Sequence, residues 1–115
     1  MRRYNRLDKR DIFEAFNELR NAFLAARDGT EVDKITDGLL THDEKLKIGR
    51  RILIAHWLIS GFGIEEISRE MKVGKNTIMH VSRRLEKYGE CFELIVKRSK
   101  TVEKEFDKKA FRSVG

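Results

Sequence analysis

The stretch IEEISREMKVGKNTIMHVSRRLEK, Ile64–Lys87, decides the fold. At its centre Gly74 and Lys75, with Thr77 close behind, suggest a nucleotide phosphate loop. Such a loop carries a glycine five positions before its Gly-Lys pair, Ser or Thr directly after the lysine, and a strand upstream. Here Arg69 holds the glycine position, Asn76 follows the lysine, and the residues before them have a helical pattern. The nucleotide reading therefore fails.

A helix-turn-helix reading fits better. Two short helices joined by a tight turn must share a small core, which fixes the apolar positions. Ile67, Met71, Val73, Ile78 and Val81 fall on those positions, and Ser68 is small where the helices cross. One position departs from the pattern: Lys72 stands where the turn usually has glycine. A left-handed backbone costs a lysine roughly 1 kcal/mol or more, so the turn is expected to differ slightly there.

The second helix has two distinct faces. Ile78, Val81 and Leu85 form the inner one. Asn76, His80, Arg83 and Lys87 form the opposite one, with Lys75 and Met79 beside it. Asparagine pairs with adenine, and lysine or arginine with guanine, at base edges in the major groove. Gly74 leaves room for a phosphate at the positive end of the helix. The expected DNA-binding residues are Lys75, Asn76, Thr77 and His80 near bases, and Lys72, Arg83, Arg84 and Lys87 at phosphates.

Outward from this unit, the absence of proline and the abundance of Leu, Ile, Glu, Lys and Arg point to an all-α fold of about six helices. Ile12, Phe16, Leu19 and Phe23 share one face of a first helix over roughly 9–27, and the DGT at 28–30 ends it. A short helix follows over about 31–39, with Thr30 as its cap. Thr41 and Glu44 form a capping box for a third helix that runs to about Ser60 and stops at Gly61. Its second half, ILIAHWLI at 52–59, is apolar almost all round, more than a small monomer can bury. His56 within it reads as a core or interface histidine, since no second ligand sits at metal spacing. The helix-turn-helix spans 64–88 with helices at 64–71 and 75–88, the second closed by Gly89. A sixth helix starts near Glu90, with Phe92, Leu94 and Ile95 on its apolar face, continued sparsely by Val102 and Phe106. Cys91 reads as a small core residue.

The formal net charge of +6 is unevenly spread. Residues 1–10, 69–87 and 97–115 each carry a net +4, so basic charge concentrates on the helix-turn-helix and both ends. The single cysteine permits no internal disulfide, no apolar run spans a membrane, and the N-terminus lacks the apolar stretch of a signal peptide. A cytoplasmic protein without a membrane is expected. The chain divides into a helical DNA-binding domain over 1–96 and a basic C-terminal helix extension and tail over 97–115.

LLTHDEKLKIGRRILIAHWLISG followed by IEEISREMKVGKNTIMHVSRRL resembles the Trp repressor family, most sharply over residues 39–87. The resemblance implies an intertwined homodimer that binds operator DNA, which would cover the excess apolar surface of the third helix. Thr41 and Arg51 match family positions that contact bound tryptophan, so the resemblance implies a ligand pocket at Thr41, Arg51 and His80. His80, however, replaces the arginine that stacks on the indole, Val81 replaces a glycine, and Arg84 replaces a nearby serine. Those departures argue against tryptophan as corepressor. Neither a cofactor nor a metal is expected, with a small-molecule corepressor other than tryptophan kept as the alternative. Nor is an enzyme, because no nucleophile–base pair, apolar carboxylate pair or ligand cluster can be read. The function expected is sequence-specific regulation of transcription on double-stranded DNA. The competing reading is a helical protein–protein interaction module with a basic docking face.

Overall fold

A computed structural model describes residues 8–99. These form an all-α structure with six helices and no strand among the described residues. The first five are α1 (Lys9–Ala25), α2 (Gly29–Leu39), α3 (His42–Ile59), α4 (Ile64–Met71) and α5 (Lys75–Lys87). The sixth, α6, is described over residues 89–99. The chain divides into two compact units, Met1–His42 and Asp43–Gly115. Val102 and Phe106, assigned above to the sixth helix, lie outside the described residues.

In the first unit, carboxylates start both helices. Asp8 accepts a hydrogen bond from the Asp11 N–H at 2.9 Å and caps α1. Asp28 accepts one from the Glu31 N–H at 2.9 Å, so α2 begins at Gly29 and its cap is Asp28, not Thr30. The Glu31 carboxylate accepts from the Arg27 N–H at 2.9 Å. This reciprocal Asp28 and Glu31 pairing satisfies two backbone donors two residues earlier than a threonine cap would allow. The predicted break at 28–30 is therefore a helix start, and α1 ends at Ala25. Neither α1 nor α2 contains a buried residue. Ile12, Phe16, Leu19 and Phe23 line one side of α1 and are all more than a third exposed.

In the second unit, the core joins four helices. Ile54 and Ala55 of α3, Ile67 of α4, Ile78 and Val81 of α5, and Phe92 of α6 are buried together. Burying each of these side chains other than Ala55 contributes about 1.5–3 kcal/mol. The apolar stretch of α3 is only partly covered within one chain: Leu53 and Ile59 are 53% and 43% exposed. His56 is half-buried.

The turn after α3 is specified by its sequence. Gly61 has φ 95°, a backbone conformation that glycine adopts without strain. The Gly61 N–H donates to Leu58 O at 3.1 Å and the Phe62 N–H to Trp57 O at 3.0 Å. This is the Schellman pattern, and its usual apolar contact is present too, with the Trp57 and Phe62 rings 4.8 Å apart.

Two expectations near the C-terminal end are corrected. Gly89 does not cap α5; Tyr88 does, at φ −123°, and residue 89 opens α6. No left-handed residue is needed at that junction, so the glycine is free to start the next helix. Cys91 is exposed and not in the core. Phe92 takes the inward position on α6, with Ile95 and Val96 half-buried, and Leu94 is 50% exposed.

Candidate nucleic-acid interface

The helix-turn-helix is built as its apolar pattern requires. Ile67, Ile78 and Val81 are buried within 1% of complete, and Met71, Val73 and Leu85 are half-buried against them. The turn itself keeps its left-handed residue. Lys72 has φ 54° and ψ 46°, so the lysine carries the strain and the turn does not deviate. Two hydrogen bonds hold it there. The Ser68 hydroxyl donates to Val73 O at 2.7 Å across the turn. The Arg50 guanidinium of α3 donates to Met71 O at 3.3 Å, supplying a partner and a positive charge to the C-terminal end of α4.

That arrangement sends the other side of α5 to the surface. Lys75, Asn76, Thr77, His80, Arg83, Arg84 and Lys87 are all exposed, or nearly so, and Lys72 is exposed beside them. Gly74 precedes the helix, no side chain caps that end, and a Cβ at Gly74 would meet nothing within 4 Å. The first turn of α5 thus offers backbone N–H groups at the positive end of the helix with open space in front.

The cations on this surface differ in their surroundings. Lys75 pairs with Glu65 of α4 at 2.7 Å, both side chains being more than half exposed. The pair crosses from the first helix of the unit to the second. Arg84 lies 4.8 Å and Lys87 5.5 Å from the centre of the Tyr88 ring, so both cations lie against one aromatic ring at the end of α5.

A cleft of about 650 Å³ lies between α3 and the start of α5. Asn76, Thr77 and His80 line one side of it, with Lys72 at the turn. Lys47, Arg50 and Arg51 of α3 line the other. His80 and Arg51, two of the three residues of the implied ligand pocket, therefore border the same space. Thr41, the third, belongs to the first unit, at the last position before α3. Val81 is in the core and contributes no wall to the cleft. Lys47 and Arg50 stand outside the residues that the sequence singles out. Their signal is a set of basic residues at 47, 50 and 51, masked in the charge balance by Asp43 and Glu44.

No group of His, Cys, Asp or Glu among the described residues could hold a metal ion. No helix among them is long and apolar enough to cross a membrane. A protein-family model described as Trp repressor protein matches residues 14–100. No curated protein and no solved structure matches the chain.

Proposed function

The chain belongs to the Trp repressor family, and from that premise we propose that it is a homodimeric transcriptional regulator that reads double-stranded DNA with α5. The carrying observation is the division of α5 into a buried side, Ile78 and Val81, and an exposed side bearing Asn76, His80, Arg83 and Lys87. A helix docked in this way presents its first turns to the major groove, while the helix before it crosses the backbone. Asn76 and Thr77, with His80 one turn further on, are the base-reading candidates. Lys72, Arg83, Arg84 and Lys87 serve phosphates, and Lys75 joins the readers once its contact with Glu65 opens.

The homodimer rests on a different observation. Side chains as large as Phe13, Phe16 and Leu24 are 69%, 69% and 74% exposed, on a helix that buries nothing of its own. Contiguous apolar surface of this kind marks an interaction site. A second copy would supply the missing core, and half-sites about one helical turn apart on the DNA would follow from its two-fold symmetry.

Tryptophan is not the signal on this reading. His80 offers no guanidinium to stack on an indole, and Val81 fills its space with core packing. The protein binds its operator with or without the amino acid and works in the cytoplasm as a binding protein, not a catalyst.

The test compares Asn76→Ala and Arg83→Ala on duplexes selected from a random pool, with and without tryptophan. Asn76→Ala relaxes sequence preference by about 1–3 kcal/mol at one base position. Arg83→Ala weakens all duplexes alike. If neither variant changes binding to selected or random duplexes, α5 is not the reader.

A further inference from the structure

The cleft between α3 and α5 brings together more positive charge than the reading helix needs. Lys47, Arg50, Arg51 and Lys72 border it, and no carboxylate does so among the described residues. Arginine and lysine gathered in one cleft raise the local positive potential, which draws a polyanion to it. The neutral wall opposite is the first turn of α5, where Gly74 leaves the backbone open and no side chain caps the helix.

We propose that this cleft grips a phosphate of the DNA backbone, so that α3 is a second DNA-contacting helix and Lys47 and Arg51 are its contact residues. The inference rests on the reading of α5 as the DNA-binding helix and extends it to a surface outside the helix-turn-helix. Three features favour backbone phosphate over a small free anion. Asn76, Thr77 and His80 line the same cleft, so its occupant lies beside the bases that α5 reads. Helix N-termini and Arg or Lys side chains are the groups that position a protein on the phosphate backbone. The cleft's volume of about 650 Å³ also exceeds what one small anion fills, and suits a length of sugar-phosphate chain.

The cations divide their work. Arg50 is committed to Met71 O, so it holds the turn and contributes its charge from a fixed position. Lys47 is 69% exposed and paired at 3.1 Å with Asp43, one turn back on α3. Such an exposed pair is weak and yields readily to phosphate. Arg51 is exposed and its fork-shaped donor set matches a phosphate.

The experiment titrates the full chain with a duplex selected by the wild type, at several salt concentrations. The variants are Lys47→Gln, Arg51→Gln, their combination, and Lys34→Gln as a charge control on the first unit. Lys47 and Arg51 are exposed, and circular dichroism checks that their variants remain folded. Each cleft variant is expected to weaken binding several-fold and to reduce the salt slope by about one, and the double variant by about two. Lys34→Gln should leave the slope unchanged. If the wild type binds and the cleft variants match it in slope and affinity, the α3 contact is wrong while the α5 reading stands. An equal effect of Lys34→Gln also overturns the α3 contact, because general charge then explains the loss. A wild type that binds no duplex overturns both readings. Saturable binding of inorganic pyrophosphate, lost in the double variant while duplex binding persists, overturns the DNA assignment and makes the cleft a small-anion site.

Discussion

Lys72 sits at φ 54° in a turn where glycine would be unstrained. A left-handed conformation costs an L-residue roughly 1–2 kcal/mol. Glycine would remove that cost but add back about 0.5–1 kcal/mol through the freedom it gains in the unfolded chain. Lys72→Gly is therefore expected to raise the unfolding free energy by up to about 1 kcal/mol in urea titration. It should at the same time weaken binding to every duplex, since a cation at the cleft is lost. A gain in stability with unchanged DNA affinity would mean that the lysine is strained without a purpose on this surface. Ser68 supports the same turn. Ser68→Ala removes the 2.7 Å bond to Val73 O and leaves a partly buried carbonyl without that donor, at a cost of about 1 kcal/mol seen as a lower urea midpoint.

At the scale of elements, α3 carries a helix-interior glycine without a reason inside one chain. A Cβ at Gly49 meets nothing within 4 Å, and its helical neighbours Leu46 and Leu53 are 49% and 53% exposed. Alanine there gains about 1 kcal/mol of helix propensity. On the homodimer reading, the glycine lets a second copy approach closely between the two leucines. Gly49→Ala is thus expected to weaken self-association in sedimentation equilibrium, although it favours the helix itself. An unchanged dissociation constant would remove α3 from the interface at that point.

Element boundaries are legible in the sequence wherever burial and chain chemistry agree. The bounds of α4 follow from Ile67 and Met71, and the stop of α3 from Gly61, because apolar spacing and a left-handed turn each have few alternatives. Sequence and structure part where two residues offer the same service. Asp28 and Thr30 can both cap a helix, and Asp28 wins because Glu31 completes a reciprocal pair. Gly89 can cap α5, but Tyr88 closes it without a left-handed residue. Cys91 and Phe92 compete for one inward position on α6, and the larger ring takes it. The exposed face of α5 follows from its buried face by helical period alone. The cleft does not, because it depends on the distance between α3 and α5, which no local pattern encodes.

At the scale of the whole molecule, two units are described and only the second has a buried core among its described residues. α2, at 11 residues, is too short to be stable in isolation, and helices draw most of their stability from packing an apolar face, so the exposed apolar residues of α1 and α2 need a partner surface. If that partner is a second copy, stability rises with protein concentration by mass action. The apparent melting temperature should therefore increase on a dilution series read from low to high concentration. Phe16→Glu, on a side chain 69% exposed within one chain, should abolish that dependence and leave a monomer in sedimentation. A melting temperature independent of concentration in the wild type would count against the dimer.

The ring contact at the end of α3 has an optical consequence. Trp57 is the only tryptophan of the chain, and it packs beside Phe62 at the entrance to α4. Its emission therefore reports the packing beside Phe62 in the second unit, whereas far-ultraviolet ellipticity sums all the helices. One cuvette holds separate clocks for the two parts of the molecule. If the first unit orders only when two chains combine, both signals change together during denaturation, and their shared midpoint moves with concentration. A lag between them would time the loss of the first unit against the loss of the second.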